Sequence, residues 1–544
     1  MKLLAPKEPR IRRAAALLLA LMLTTSCAEA RPILARNIPA AATRPPSTDP
    51  LVYRSASELA RRIRTGELSS VRVVQAFLDQ IARQNGTYNA VVLADGDAAL
   101  RRAREADDAL LRGEVWGPLH GVPVTVKDTF SVQGLRTTAG AVELSQYVPS
   151  QDAALVALLR DAGAIILAKT NMATLAMDMQ TTNELFGTTN NAWDVRRTAG
   201  GSSGGCATAL ATGMTPLSFG SDLAGSIRLP SAWAGVYGLK PTFGVVSMSG
   251  HLPPLPGEIN GIRTMAVAGP MARSVEDLEL ALRVIARPSR RDATTRPLRP
   301  IENPPTSARA LRFAYATELG GLRPSHEVEA AMEALVARLR AAGATVEQAT
   351  PRELDVEQTW EVWGALVGMQ GGYDRSNLAR WFGRLFAYGA VRDIPHQRRI
   401  LDPISVPGYM QALEVQAQSI NAMDAFVEQF DAWIIPAAVT TAFPHQAASR
   451  TFGIFNVYDT PIHVDDRQVP YYRVTQSFTT LASVTENPVV TVPVGLGSSG
   501  MPVGVQLVGR RFDDLRLLRV AALIAPIAGQ MRYPLEPEAL EDTP

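Results

Sequence analysis

Residues 196–206 read Arg196-Arg197-Thr198-Ala199-Gly200-Gly201-Ser202-Ser203-Gly204-Gly205-Cys206. After a run of small residues the chain continues Gly220-Ser221-Asp222-Leu223-Ala224-Gly225-Ser226-Ile227-Arg228-Leu229-Pro230. Each serine cluster holds too many glycines for the middle of a helix or strand, because glycine weakens both. Glycine suits places where backbone must approach a reacting atom or take φ > 0. Between the clusters, residues 203–211 are small and helix-compatible, and 216–221 read as a short apolar strand. A strand, a tight glycine turn and a serine at its tip expose a nucleophile. The bland alternative is a pair of flexible Gly/Ser loops. Arg228, Pro230 and Trp233 speak against it, since linkers rarely carry such bulky residues.

A nucleophilic serine needs a base. The six histidines show no Ser/His/Asp spacing, and His120 reads as a turn hydrogen-bonder. The better candidate is Lys127, in Gly121-Val122-Pro123-Val124-Thr125-Val126-Lys127-Asp128. Residues 122–126 read as a buried strand with Lys127 at its carboxyl end, where α/β sheets place their sites. A lysine acts as a base only when neutral. Lowering its pKa from about 10.4 to about 7 takes desolvation or hydrogen bonding worth roughly 4 kcal/mol.

Lys127, the Gly-Gly-Ser-Ser-Gly-Gly block and the Asp222-to-Arg228 block, in this order and spacing, resemble the amidase signature family over about residues 59–518. The resemblance implies hydrolysis of a carboxylic acid amide by a Ser–cis-Ser–Lys triad through an acyl-enzyme, with esterase side activity. Carried over by position, Ser226 is the nucleophile and Lys127 the general base. Ser202, on a cis Gly201–Ser202 bond, is the bridge. The implied oxyanion hole uses the backbone N–H groups of Leu223, Ala224, Gly225 and Ser226. Gly201, Ser203, Asp222 and Arg228 support the loops, the last two as a pair. Ala224 stands where the family usually has glycine, and Ala192 where it usually has proline. Alanine keeps its N–H, but it costs about a kcal/mol if position 224 needs φ > 0, and it narrows access. Within the family, residues 359–430 help shape the substrate pocket, so one or two of Trp363, Tyr373, Trp381 and Phe386 are expected to line it.

Residues 1–30 read as a signal peptide. Lys2, Lys7, Arg10, Arg12 and Arg13 precede an apolar run at 14–23, and Ala28-Glu29-Ala30 offers a cleavage site. That run is too short to span a bilayer. Cys27 sits in an imperfect lipoprotein box, so the expectation is export to the periplasm, with a lipid anchor at Cys27 as the alternative. Residues 31–50, rich in Ala, Arg, Pro and Thr, read as a mobile leader.

The remaining 51–535 are expected to form one large α/β domain: a mixed central sheet with helices on both faces. Ser55 and Glu58 form a capping box for a helix that Gly66 ends, and a second helix spans 70–83. Helices are expected at 97–111, 151–162 and 326–342, and strands at 89–93, 164–169, 311–315, 345–347 and 433–436. Residues 359–430 read as helical and aromatic, 289–308 as a surface excursion, and 485–508 as the close of the sheet.

The 544 residues, 46% hydrophobic and 19% charged with a net charge of +2, can bury a large core and give no reason to expect nucleic acid. Cys206 reads as a small buried thiol and Lys240 as structural. No metal-ligand cluster or cofactor motif is visible. The expected partner is a small-molecule amide, without an obligate protein partner; a homo-oligomer stays open. Two alternatives to an amidase remain: a binder disabled through Ala224, and a transamidating amidotransferase subunit, which the export signal argues against.

Overall fold

The computed structural model describes residues 50–535, apart from 290, 392–393, 453–454 and 530. The expected signal peptide, the expected leader up to residue 49 and Cys27 lie outside the described residues.

Eleven strands build one mixed sheet. In chain order they are β1 (Val91–Ala94), β2 (Pro123–Lys127), β3 (Ile165–Thr170), β4 (Leu217–Asp222), β5 (Tyr237–Lys240), β6 (Val267–Ala272), β7 (Arg312–Tyr315), β8 (Thr345–Gln348), β9 (Ala432–Pro436), β10 (Val489–Leu496) and β11 (Pro502–Val508). Across the sheet they run β1-β3-β2-β4-β6-β5-β10-β11-β9-β7-β8. β2 lies parallel to both β3 and β4, and β7 lies parallel to both β8 and β9. The remaining neighbours are antiparallel.

Successive side chains of a strand point to opposite faces, and both faces here are apolar. Ala432 and Ile434 of β9 join one core with Val490, Val492, Val505 and Leu507, closed by the helices Val275–Ile285 and Asp514–Ala528. Trp433 and Ile435 join the other with Val489 and Val508, closed by Val356–Gly371 and Tyr471–Val484. This is the single α/β domain expected, with helices on both faces.

Local chemistry sets the element ends. Ser55 Oγ accepts the Glu58 N–H at 3.1 Å and starts the helix Ala56–Arg64. Ser69 does the same through Arg72, and the helix it starts, Ser70–Tyr88, runs five residues past the expected end before Asn89 takes φ +49°. The helix expected over 151–162 covers only Ala154–Asp161. The region 359–430 resolves into four helices, Val356–Gly371, Asn377–Val391, Pro395–Arg398 and Val406–Val427. Three short hairpins were not expected: Thr182–Asn183 with Gly187–Thr188, Arg450–Phe452 with Phe455–Val457, and Ile462–Val464 with Arg467–Val469. Among the described residues no helix is long and apolar enough to cross a membrane.

Candidate active site

Two neighbouring parallel strands deliver the chemistry at their carboxyl ends. Lys127 is the last residue of β2, and Ser221 and Asp222 are the last two of β4. Beyond β4 the chain turns through Leu223, Ala224 and Gly225 to Ser226 and enters the helix Arg228–Ala234. The other serine cluster forms the entrance to the helix Gly204–Ala211, with Ser203 in the residue before it.

The Lys127 side chain is fully buried, and its Nζ lies 2.7 Å from Ser202 Oγ and 3.1 Å from Ser221 Oγ. Burial lowers its pKa to about 7, against the opposing pull of Cys206 and Asp222. The Gly201–Ser202 peptide bond is cis. Gly201 must be glycine, because a Cβ there would stand 2.7 Å from the Met179 carbonyl carbon. Ser203 ties the clusters together: its N–H donates to Ser226 O at 3.2 Å and its Oγ to Ser221 O at 3.4 Å. Ser226 retains 5% exposure, whereas Ser202 and Lys127 retain none, so Ser226 is the outward member of the three. No hydrogen bond joins Ser226 Oγ to Ser202 Oγ among the described residues.

Asp222 organises the turn. Its Oδ1 accepts the Gly225 N–H at 2.8 Å, and its Oδ2 accepts those of Ile227 and Arg228 at 3.0 and 3.3 Å. The Gly225 N–H is therefore already engaged. This corrects the expectation of four oxyanion donors: the N–H groups of Leu223, Ala224 and Ser226 are the ones without an acceptor among the described residues. Gly225 takes φ +110°, while Ala224 is not among the residues of positive φ. The backbone at 224 therefore suits alanine, and the strain considered for that position is absent.

The sequence reading missed the groups that hold this turn from the far end of the chain. Arg228 donates through all five N–H bonds: Nε and Nη2 to Asp222, Nη2 also to Ser483 Oγ, and Nη1 to Thr479 O and Gln506 Oε1. Thr479 Oγ1 donates to Ala224 O at 2.6 Å. The available signal was a helix, Tyr471–Val484, whose many hydroxyl residues include the fully buried Thr479, Thr480 and Ser483.

Of the expected pocket aromatics, Trp363 reaches the site, donating its indole N–H to Leu223 O at 3.1 Å. Tyr373 and Trp381 are 48% and 54% exposed, and the Phe386 side chain lies outside the described residues. His120 accepts the Trp116 N–H and donates to Ala106 O, as a turn hydrogen-bonder should. Lys240 donates to Pro241 O, and the Cys206 thiol is buried against Thr170 Oγ1. No group of three or more metal-ligating side chains occurs among the described residues.

Comparison with known proteins bears on the family and the fold. The amidase family profile matches residues 72–518. A glutamyl-tRNA(Gln) amidotransferase subunit of Anaeromyxobacter sp. (strain K) is 35% identical over 502 residues, covering 86% of this chain and 95% of the relative. A solved amidase structure is 28% identical with a TM-score of 0.70, covering 87% of this chain and 99% of that one. Fatty acid amide hydrolase, at 23% identity and TM-score 0.75, covers 89% and 87% and shares the fold. With the profile matched over residues 72–518 and the fold shared along most of its length, the chain belongs to the amidase signature family, hydrolases of C–N amide bonds.

Proposed function

We propose that this chain hydrolyses a small-molecule carboxylic acid amide to an acid and an amine or ammonia, with Ser226 as nucleophile, Ser202 as bridge and Lys127 as base. The observation that carries this reading is the 2.7 Å contact between Ser202 and a fully buried lysine whose pKa is about 7. A neutral Lys127 takes the Ser202 proton as Ser202 takes that of Ser226, and Ser226 Oγ bonds to the substrate carbonyl carbon. The negative charge then forming on the carbonyl oxygen faces the N–H groups of Leu223, Ala224 and Ser226. When the C–N bond breaks, the proton returns through Ser202 to the leaving nitrogen. Water hydrolyses the acyl ester by the same relay. Esters, being easier acyl donors, are turned over as well.

The test is a serine-directed fluorophosphonate together with a panel of short-acyl, aryl and peptide amides. Wild type should label and turn over; Ser226→Ala should do neither. Retention of most activity by Ser226→Ala would reject the assignment.

The second reading is an amidotransferase subunit, favoured by relatives of that name at 32–35% identity over most of the chain. It predicts ammonia release from glutamine and a partner needed for full activity. The purified chain should instead cleave its amide alone, without tRNA or any other protein.

Export to the periplasm completes the proposal, supported by the basic and apolar N-terminal pattern. Mass spectrometry of the exported protein should show Arg31 as its first residue. A diacylglyceryl-modified Cys27 there would mean a lipoprotein, and an intact Met1 would defeat export.

A further inference from the structure

We infer that Trp363 is a positioning residue for the oxyanion site: by holding the Leu223 carbonyl from one side, its indole N–H aims the Ala224 N–H at the substrate from the other. The inference rests on the Ser–Ser–Lys reading above and deepens it.

A trans peptide unit is planar, with its C=O and N–H pointing in opposite directions, so a bond that fixes the carbonyl also fixes the N–H. The units of the nucleophile turn are trans, since the cis bonds among the described residues lie at 201–202, 252–253 and 253–254. Each carbonyl of the turn has a donor on it. In the unit joining Ala224 to Gly225, Thr479 Oγ1 donates to Ala224 O at 2.6 Å and the Gly225 N–H donates to Asp222 Oδ1 at 2.8 Å. That unit is held at both ends and offers no free donor. In the unit joining Gly225 to Ser226, Gly225 O accepts the Leu229 N–H at 2.8 Å, which leaves the Ser226 N–H for a ligand. In the unit joining Leu223 to Ala224, Leu223 O accepts the Trp363 indole N–H at 3.1 Å, which leaves the Ala224 N–H.

These last two donors differ in what aims them. The Ser226 N–H is aimed by a bond from the helix that follows it. The Ala224 N–H is aimed by a side chain 140 residues further along the chain. An indole N–H donates and never accepts, so nothing else competes for that bond. Without it, Leu223 O has no donor among the described residues, and rotation of this one unit lets the carbonyl seek another. Such a rotation carries the carbonyl oxygen toward the place the N–H held. The developing oxyanion then meets the negative end of the peptide dipole instead of the positive one.

Trp363 is itself braced. It is buried in the helix Val356–Gly371, with its ring edge-on to that of His396 at 6.2 Å between centroids. His396 Nε2 donates to Tyr472 O at 2.9 Å, and Gly364 packs on the His396 carbonyl with no room for a Cβ. The indole is therefore not free to follow a moving carbonyl. Two helices thus hold one carbonyl each: Val356–Gly371 through Trp363, and Tyr471–Val484 through Thr479.

The experiment compares wild type, Trp363→Phe, Ser226→Ala and a protein carrying benzothienylalanine at position 363, which keeps the shape of tryptophan with sulfur in place of the N–H. Each is given one amide, one 4-nitrophenyl ester and the thionoester (C=S) analogue of that ester. The two esters are followed at enzyme excess, where slow acylation stays measurable. In the thionoester the charge develops on sulfur, a weak acceptor that gains little from an oxyanion donor. Expected for both proteins lacking the N–H is a fall in amide kcat of about 10-fold or more, with KM nearly unchanged. Acylation by the ester should fall with it and acylation by the thionoester far less, so the oxygen-to-sulfur ratio drops. Wild-type kcat in the benzothienylalanine protein would overturn the inference, whatever Trp363→Phe does to folding. So would equal losses on ester and thionoester, which a packing role alone predicts. Failure of the Ser–Ser–Lys reading looks different: Ser226→Ala would then still be acylated by the ester.

Discussion

Arg228 grips both carboxylate oxygens of Asp222, Nη2 on Oδ1 at 2.8 Å and Nε on Oδ2 at 3.0 Å, with both side chains fully buried. The pair lies across the turn that carries Ser226, since Asp222 also takes the N–H groups of Gly225 and Ile227. Arg228 in turn fastens this turn to the helix Tyr471–Val484 through Thr479 and Ser483. Truncating the arginine strands a buried carboxylate, at a cost of about 3–5 kcal/mol. Arg228→Ala should therefore lose most of its cooperative urea transition or shift it strongly. Arg228→Lys should lose activity too, because one ammonium cannot span two oxygens and three further acceptors. A Lys variant of wild-type kcat would show that the fork is dispensable.

Gly225 and Ala224 should respond in opposite ways. A Cβ at Gly225 would sit 2.6–2.8 Å from the Thr479 side chain, at a φ of +110° that L-residues avoid. Gly225→Ala should displace the turn and reduce kcat by orders of magnitude. Ala224→Gly meets no such constraint, so kcat should change only a few-fold while stability drops by roughly 0.5–1 kcal/mol. A large gain of activity in Ala224→Gly would revive the idea that Ala224 disables this chain.

The contrast between these two positions shows what the sequence made legible. Lys127, Ser202, Ser226, Asp222 and Arg228 stood in motifs, and their side chains could be read for chemistry directly. Whether position 224 needed φ > 0 depends on the path of the turn, which composition does not encode. Ser221 lay inside the quoted motif yet read only as the end of a strand, because its contact is with Lys127 on a neighbouring strand. Thr479, Ser483 and Gln506 lie 251, 255 and 278 residues further on and meet Arg228 only through the fold. Trp363 and Trp381 looked alike as helical aromatics; one is buried against Leu223 and the other faces outward.

Asp178 offers a test of the packing behind the bridge. Its Oδ2 accepts Tyr458 OH and Asn456 Nδ2 at 2.5 and 2.7 Å, and its Oδ1 accepts Tyr471 OH at 2.8 Å. Backbone of residues 178–180 presses against Gly201, so this carboxylate links the hairpin Arg450–Phe452 and Phe455–Val457 to the bridge loop. Replacing an acceptor-only carboxylate by an amide sets an NH2 against donors, at a cost of about 1–3 kcal/mol. Asp178→Asn should open residues 444–458 to limited proteolysis and lower kcat. Unchanged cleavage and unchanged kcat would show that the clip is unimportant.

Lys240 separates the effect of a buried lysine on stability from its use in catalysis. It is fully buried on β5, donates to Pro241 O, and is pushed down to about 7 by burial and then by Arg228. In the unfolded chain its pKa returns to about 10.4. Between these values the unfolded state holds a proton that the folded state lacks, so this group makes stability rise with pH across the window. Its contribution is flat below about 7 and above about 10.4. Lys240→Met removes the titration, so its stability advantage over wild type should be greatest near pH 6 and shrink steadily toward pH 10. Loss of the bond to Pro241 O adds an offset that does not vary with pH, and Lys127 is present in both proteins and cancels. Urea unfolding of the two proteins at about pH 6, 8 and 10 reads the difference. A difference independent of pH would mean that Lys240 keeps an ordinary pKa in the folded protein. The acidic limb of kcat/KM should meanwhile stay where it is in Lys240→Met, because the lysine that contacts Ser202 is Lys127.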